Sequence, residues 1–322
     1  MHSILQKIHS LGIVPVVKID TPSHALPLGE ALLAGDLPVA EITFRTAAAE
    51  ESIKRLTGEL PDLLVGAGTV ITPEQAEKAV KAGAKFIVSP GFNEPVVDYC
   101  LEHGVPVTPG VNSPSQIEQG LYKGLEVLKF FPAEASGGLA MLKSMSAPYN
   151  NLHFIPTGGI KTSNMHDYLG FSKVLAIGGS WMVKPEFIAE ERFEEVTRLS
   201  REAVASMLGF SLQHIGINTG DEAAAKRGAA LFSTFFPGTP GESEKSVMVG
   251  GAVELMKGPG RGTDGHIAIG TANITRAAAF LERKGFVLDH QNAVEKDGRV
   301  KAVFLQDEIA GFAVHLLQLE KE

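Results

Sequence analysis

The sequence predicts an α/β protein, a (β/α)8 TIM barrel followed by a smaller α+β domain of paired β-α-β-β-β modules. Two observations lead to this prediction. Short apolar runs recur through residues 1–185 at a spacing of roughly 20–27 residues, which fits one strand plus one helix. Beyond about residue 209, a strand-helix-strand-strand pattern occurs twice, which indicates an internal repeat. We place the barrel at residues 1–205 and the smaller domain at residues 206–322.

The predicted barrel strands are continuous apolar runs, as expected for a parallel sheet covered on both faces. They are "GIVPVVKI", "LPVAEITF", "DLLVGAGTV", "AKFIVSP", "VPVTPG", "LEVLKFFP", "LHFIPTGG" and "KVLAIGGS". Between them, "TPEQAEKAVKAG" and "SPSQIEQGLYKG" each begin with a capping hydroxyl and a proline and end in glycine, as helices do. Eight such units in this length favour a compact barrel. An open doubly wound sheet is the alternative.

The pattern changes after the barrel. The stretch "FIAEERFEEVTRLSREAVASML", residues 187–208, predicts one amphipathic helix that closes the barrel. The first module then reads "FSLQHIGINT", "DEAAAKRGAALFSTFF" and "SVMVGGAVELMK". The second reads "HIAIGT", "ITRAAAFLERKGF", "KAVFLQD" and "FAVHLLQL". Because "HIGI" at 214 and "HIAI" at 266 occupy matching places, the two modules are copies of one unit.

Composition narrows the classes of partner and compartment. The net charge is −8, from 37 acidic and 29 basic residues, and no dense Lys/Arg run occurs, so we expect no nucleic-acid or membrane partner. No apolar run approaches the ~20 residues of a membrane span, and the N-terminus lacks the pattern of a signal peptide. The single cysteine, Cys100, rules out an internal disulfide. We therefore expect a cytoplasmic protein.

The lysine in "VLKFFP" is the first candidate for chemistry. Burying an ammonium costs hydration free energy, and an apolar strand favours the neutral amine over the ammonium. A neutral amine can attack a ketone carbonyl, and the resulting iminium withdraws electrons from the neighbouring carbon. Lys129 is thus a candidate imine-forming residue, with a structural, ion-paired lysine as the alternative. Lys18 in "PVVKID" and Lys143 in "AMLKSM" are rival candidates.

Other polar residues stand where apolar strands end, the place at which barrels build their active sites. Glu41 in "VAEITFRT" is a candidate proton shuttle, and the fork of Arg45 suits a substrate carboxylate. A strand separates residues i and i+4 by about 13 Å, so these two pair directly only if the strand ends between them. Gly-Gly pairs end strands seven and eight, where barrels often bind phosphate, and together they favour a phosphorylated ligand.

Six motifs in order and spacing resemble the 2-keto-3-deoxy-6-phosphogluconate / 4-hydroxy-2-oxoglutarate aldolase family over about residues 5–190. They are "EITFRT", "GAGTV", "SPG", "KFFPAE", "PTGGI" and "GGSW". The resemblance implies a class I aldolase that forms homotrimers and needs no metal or organic cofactor. It implies that Lys129 is the Schiff-base lysine and Glu41 the general acid/base.

The resemblance also implies the residues that contact the substrate. Arg45 and Thr69 would meet the carboxylate, and Pro90 and Phe131 would line the pocket. The phosphate would bind at the two glycine motifs, through Thr157, Gly158, Gly159, Gly179 and Ser180.

The implied substrates are 2-keto-4-hydroxy acids. Cleavage of 2-keto-3-deoxy-6-phosphogluconate gives pyruvate and glyceraldehyde 3-phosphate, and cleavage of 4-hydroxy-2-oxoglutarate gives pyruvate and glyoxylate. The alternatives are a non-catalytic phosphosugar-acid binder whose second domain senses ligands or oligomerises, and a decarboxylase or isomerase on the same barrel. A pure binder needs no buried amine facing a carboxylate, so Lys129 and Glu41 favour the aldolase.

The repeat over about residues 209–320 resembles the glyoxalase / vicinal-oxygen-chelate superfamily, in which each module offers side chains to one divalent metal. The matching positions are His214, Glu254, His266 and His315. Imidazole and carboxylate together suit Zn, Ni, Fe or Mn. His315 stands where glyoxalases usually carry Glu, which leaves the metal and the chemistry open. The alternative is that these are hydrogen-bonded strand histidines of a dimerisation or ligand-sensing domain.

Overall fold

The computed structural model of the chain describes residues 1–320 and divides into two units. The first unit is Met1–Met207, and the second begins at Leu208. Among the described residues, no helix combines the length and the apolar character needed to cross a membrane.

The first unit is an α/β unit built on a curled parallel sheet. Its strands are β1 (Ile13–Val17), β2 (Val39–Thr43), β3 (Leu64–Gly68), β4 (Ile87–Val88), β5 (Val107–Thr108), β6 (Gly110–Val111), β7 (Val127–Phe130), β8 (His153–Pro156) and β9 (Ile177–Gly179). The strand order is β5-β4-β3-β2-β1-β9 in one part and β6-β7-β8 in the other. Only Pro109 separates β5 from β6, and a parallel bridge joins Thr157 after β8 to Gly178 of β9. Each of the eight predicted apolar runs contains a strand.

One helix precedes β1, and helices separate most of the later strands. They are α1 (Ser3–Leu11), α2 (Ala25–Ala34), α3 (Ala49–Glu59), α4 (Pro73–Lys81), α5 (Glu94–Glu102), α6 (Pro114–Tyr122), α7 (Gly138–Ser146), α8 (Met165–Leu169), α9 (Pro185–Ala189) and α10 (Phe193–Leu208). The hydroxyl groups of Thr72 and Ser113 cap α4 and α6, in the pattern that the sequence indicated.

The prediction of one helix over 187–208 is wrong. The helix α9 ends at Ala189, and α10 begins only at Phe193. Between them, Glu191 adopts a left-handed conformation with φ 54°, which a continuous α-helix does not permit. The break contains neither glycine nor proline, so the sequence carried no strong stop signal.

The core of the first unit lies along its strands. All residues of β2, β3 and β7 are buried, and most are apolar. Glu41 in β2 and Lys129 in β7 are the charged residues of these three strands. Burial of a charge costs free energy unless the charge is paired, so these two residues are candidates for the functional site.

The second unit is an α+β unit with one mixed sheet of eight strands. Its elements are β10 (Ser211–Asn218), α11 (Glu222–Phe232), β11 (Gly241–Glu242), β12 (Ser246–Val249), β13 (Val253–Met256), β14 (Gly265–Thr271), α12 (Ile274–Arg283), β15 (Val294–Lys296), β16 (Arg299–Phe304) and β17 (Phe312–Gln318). The order β11-β12-β13-β10-β14-β17-β16-β15 places the first strands of the two modules side by side at the centre. In each module the first strand runs parallel to the last. Two β-α-β-β-β modules thus form the sheet.

Candidate active site and candidate metal centre

Lys129 and Glu41 meet inside the first unit. Lys129 Nζ lies 3.6 Å from Glu41 Oε1, and the two side chains are only 6% and 4% exposed. Their strands, β7 and β2, do not pair with each other, so the side chains reach one another across the space that the curled sheet encloses. The ring of Phe131 lies beside the amine, with its centroid 5.0 Å from Nζ. A buried amine and a buried carboxylate therefore face the same small space.

The carboxylate of Glu41 has space because β3 carries a glycine next to it. A Cβ on Gly68 would lie 2.1 Å from Glu41 Oε1, a distance that no side chain tolerates. Although it is buried, Oε1 has no hydrogen-bond partner among residues 1–320. Buried polar atoms are normally hydrogen-bonded, and an unpartnered one in a cavity is a candidate for contact with a ligand or a reacting group. The carboxylate oxygen is thus available to a small molecule beside Lys129.

A cavity contains the two groups and is lined by residues on or beside six strands, β1, β2, β4, β5, β7 and β8. Of its lining residues, Glu41, Lys129 and Thr157 were predicted from the sequence, whereas five were not: Val14, Phe86, Val88, Thr108 and Ile155. Thr108 is 3% exposed and ends the apolar run "VPVTPG". Polar residues near the ends of apolar runs were the candidates for the site, and Thr108 meets that criterion. The sequence therefore contained the information needed to find it.

The predicted carboxylate contacts lie together beyond β2 and β3. Arg45 is exposed and its Nε donates to Thr69 Oγ1 at 3.3 Å. Thr69 follows β3 in a left-handed conformation with φ 55°. The strand β2 ends at Thr43, so Arg45 lies outside it. The alternation of side chains between the two faces of a strand therefore does not fix the direction of Arg45. Pro90 is half-buried after β4.

The two glycine motifs are adjacent. The bridge between Thr157 and Gly178 places the ends of β8 and β9 side by side, which brings Gly158 and Gly159 near Gly179 and Ser180. Gly158 and Gly159 have φ values of 102° and 80°.

A contact between Glu134 and the buried Tyr168, which the sequence did not indicate, supports these glycines. The backbone N–H of Glu134 donates to the Gly158 carbonyl at 3.1 Å, and Tyr168 Oη donates to Glu134 Oε1. Burial, together with this bond, raises the pKa of Tyr168. Glu134 belongs to the motif "KFFPAE", which the sequence analysis identified. Its contact with Tyr168 in α8 could not be predicted from the sequence.

The rival lysines have other surroundings. Lys18 forms an ion pair with Asp20 at 2.8 Å, and its side chain is 39% exposed. Lys143 is an exposed residue of α7, with its Nζ 5.8 Å from the centroid of Phe171. Neither lines the cavity that holds Glu41.

In the second unit, the four predicted ligands converge on one face of the sheet. His214 Nε2 and His266 Nε2 are 3.1 Å apart, and Glu254 Oε2 lies 3.1 Å from His266 Nε2 and 3.6 Å from His214 Nε2. The ligand atoms of His214, His266 and His315 all lie within 4.8 Å of one another. The four residues occupy the four central strands, β13, β10, β14 and β17.

Register explains this convergence. Gly216 pairs with Glu254 on one side and with His266 on the other, while Ala268 lies between His214 and His315. Paired residues in neighbouring strands point to the same face. A Cβ on Gly216 would lie 2.0 Å from the His266 ring, so this glycine provides the space in which the ring reaches the others.

The protonation states of these side chains suit the binding of a cation. Burial lowers the pKa of His315 to about 4 and also lowers that of His214, so both rings are neutral at neutral pH. The hydrogen bond with His266 lowers the pKa of Glu254 to about 2, so its carboxylate is ionised. Both ring nitrogens of His315 are buried without a hydrogen-bond partner among the residues described. Neutral imidazoles and one carboxylate are the donors that divalent transition metals prefer, so these residues fit such an ion.

Comparison with known proteins identifies relatives of the first unit. The family model described as KDPG and KHG aldolase matches residues 4–199. A 2-dehydro-3-deoxy-phosphogluconate aldolase of Treponema pallidum is 46% identical over 204 residues, covering 63% of this chain and 97% of that protein. A KHG/KDPG aldolase of Escherichia coli is 41% identical over 192 residues, covering 60% of this chain and 90% of its own.

Solved structures agree with these relatives. The KDPG aldolase of Legionella pneumophila, with pyruvate captured as a covalent carbinolamine intermediate, is 40% identical with a TM-score of 0.60. It covers 62% of this chain and 97% of that one. The aldolase of Zymomonas mobilis with 3-phosphoglycerate is 38% identical with a TM-score of 0.58, covering 62% of this chain and 94% of its own. Because the family match spans more than half of its length, the chain belongs to the KDPG and KHG aldolase family.

Proposed function

We propose that this aldolase, a lyase, acts through a lysine imine on 2-keto-3-deoxy-6-phosphogluconate, on 4-hydroxy-2-oxoglutarate, or on both. The first substrate gives pyruvate and glyceraldehyde 3-phosphate. The second gives pyruvate and glyoxylate. The observation that carries the proposal is the buried amine of Lys129, 3.6 Å from the carboxylate of Glu41. The carbinolamine in the Legionella relative supports it, because a carbinolamine is the adduct that precedes an imine.

The geometry supports the following reaction. The amine of Lys129 attacks the C2 carbonyl of the substrate, and loss of water gives a protonated imine. Glu41, directly or through water, removes the proton of the C4 hydroxyl. The C3–C4 bond breaks, its electron pair passes into the iminium, and the aldehyde leaves. Protonation of the enamine at C3 and hydrolysis release pyruvate and regenerate the amine.

Fold and assembly belong to the same proposal. The first unit is a (β/α)8 TIM barrel over residues 1–205, supported by the curled parallel order of its strands and the bridge between Thr157 and Gly178. The protein is a cytoplasmic homotrimer, as the family resemblance implies.

The remaining site residues bind the substrate. Arg45 and Thr69 hold the carboxylate, supported by their hydrogen bond beyond β2 and β3. Pro90 and Phe131 line the pocket. Gly158, Gly159 and Ser180, with Thr157 and Gly179, hold the phosphate, supported by the adjacent ends of β8 and β9. The Zymomonas relative was solved with 3-phosphoglycerate, which, like 2-keto-3-deoxy-6-phosphogluconate, carries both a carboxylate and a phosphate.

Ser180→Ala tests the phosphate assignment. We expect KM for the phosphorylated gluconate substrate to rise about 10–100-fold, because a hydrogen bond to a charged group contributes about 1.5–3 kcal/mol. KM for unphosphorylated 4-hydroxy-2-oxoglutarate is expected to stay within about twofold. Coupled measurement of pyruvate release with these substrates and the galactonate analogue determines kcat/KM for each. An equal rise in KM for phosphorylated and unphosphorylated substrates would contradict the assignment.

We propose that residues 206–322 form a glyoxalase / vicinal-oxygen-chelate-like domain that holds a divalent metal, Zn, Ni, Fe or Mn. Two observations support this: the paired modules of its sheet and the convergence of His214, Glu254, His266 and His315. When bound, such a metal supplies a Lewis acid for a small molecule with neighbouring oxygens. The aldolase chemistry of Lys129 proceeds without it.

Metal analysis of the purified full chain tests this centre. After loading with Zn²⁺ or Ni²⁺ and desalting, we expect about one ion per chain in the wild type and less than about one-tenth in His266→Ala, which removes a central ligand. His290→Ala is the matched control, because His290 is exposed, pairs with Glu282 and lies outside the cluster. A wild type that retains no more metal than His266→Ala would refute the centre.

A further inference from the structure

We propose that Ser246 positions Glu254 so that the metal centre receives one carboxylate oxygen rather than two. The proposal rests on the metal site proposed above and assigns a role to a residue that stands outside the four ligands.

Ser246 is a buried neighbour of Glu254 on the same face of the sheet. In the antiparallel pair β12–β13, Met248 lies opposite Glu254, and Ser246 is two residues from Met248. Two residues is one strand period, so Ser246 and Glu254 are diagonal neighbours on one face. Ser246 is 5% exposed, and its Oγ donates to Glu254 Oε1 at 2.5 Å.

The two oxygens of Glu254 therefore have different partners. Oε1 accepts the hydrogen bond from Ser246, whereas Oε2 is directed at His266 and His214 at 3.1 and 3.6 Å. A carboxylate that turned to present both oxygens to the imidazoles would lose the bond to Ser246. The hydroxyl thus fixes the rotation of the carboxylate, and with it the number of oxygens offered to the histidine cluster.

Ser246 is itself held in place by Ser243. The backbone N–H of Ser246 donates to Ser243 Oγ at 3.0 Å, and the N–H of Ser243 donates to the Ser246 carbonyl at 2.9 Å. The two hydroxyl oxygens are 3.1 Å apart. Because the Ser246 hydroxyl donates its proton to Glu254, its oxygen can accept a hydrogen bond from the Ser243 hydroxyl. Hydrogen-bond chains of this kind are stronger than their isolated links.

The arrangement has a consequence for the ligand of the centre. A carboxylate restricted to one oxygen occupies one coordination position and leaves another to a small molecule. Ser246 in this way determines how much of the metal's coordination is open to substrate, without touching metal or substrate.

The test compares Ser246→Ala with the wild type, using Co²⁺ as the probe metal. Partners that orient metal ligands typically contribute 10–100-fold to affinity, so we expect the Kd of Ser246→Ala for Co²⁺ to rise about 10–100-fold. We also expect the visible absorption of bound Co²⁺ to weaken, because a carboxylate free to bind through both oxygens raises the coordination number. Ser246→Thr keeps the hydroxyl and is expected to restore both affinity and spectrum.

Ser233→Ala is the matched control, because it removes a hydroxyl of the same unit that bonds only the Ala229 carbonyl at the end of α11. Wild-type affinity and spectrum in Ser246→Ala would overturn the positioning role while leaving the metal centre intact. A Thr variant as weak as the Ala variant would overturn it as well. A wild type that binds no Co²⁺ would overturn both proposals.

Discussion

Lys129→Ala is expected to lose pyruvate release by at least about 1,000-fold, since removal of a covalent nucleophile leaves only the catalysis due to binding and orientation. The same variant is expected to escape trapping: borohydride with pyruvate should add mass to the wild-type peptide that contains Lys129 and to no peptide of the variant. Coupled assay of pyruvate and mass spectrometry of the digested protein measure the two effects.

Lys143→Ala is the control for this experiment. Its amine is exposed on α7, outside the cavity, so we expect wild-type turnover and normal trapping. Mass added at Lys143 or Lys18 in the wild type would show that the imine forms elsewhere, and the assignment of Lys129 would be wrong.

Glu41→Gln is expected to lower kcat about 10²–10⁴-fold, the usual contribution of a positioned acid or base. Glutamine keeps the shape of the side chain in the space beside Gly68 but cannot accept the proton of the C4 hydroxyl. Lys129 is unchanged, so borohydride trapping with pyruvate should persist. Loss of turnover with retained trapping separates proton transfer from imine formation.

Glu77→Gln serves as the matched variant, because Glu77 is a half-exposed residue of α4 that pairs with Lys81 on the same helix, outside the cavity. It is expected to retain full activity. If Glu41→Gln kept more than about one-tenth of wild-type kcat, another group would have to carry the proton.

Much of the fold followed from hydrophobic pattern. The strands of the first unit are buried on both faces, so each of them appears as an apolar run, and the run that contains Pro109 correctly marked a strand despite its interruption. The repeat of "HIGI" and "HIAI" predicted strands in matching places of two modules, and β10 and β14 are those strands, paired with each other. These features depend on local sequence, which is why pattern alone sufficed.

What the sequence did not predict depends on contacts between distant residues. The break at Glu191 arises from a backbone conformation for which its residue type has no preference. Tyr168 bonds Glu134 from another element, and Ser246 bonds Glu254 across a strand pair. Hydroxyl residues are common in all environments, so only register and tertiary packing distinguish these from the rest.

Gly68 and Gly216 have a practical consequence for protein engineering. Gly68 lies on the strand next to that of Glu41, and Gly216 on the strand next to that of His266. Because glycine has no side chain, each leaves the space that the functional side chain occupies. Grafting Lys129 and Glu41, or the histidine cluster, onto another scaffold would therefore fail if only the reactive residues were copied. The graft has to carry the glycine of the adjacent strand as well, so the transferable unit of either site includes a residue that takes no part in the chemistry.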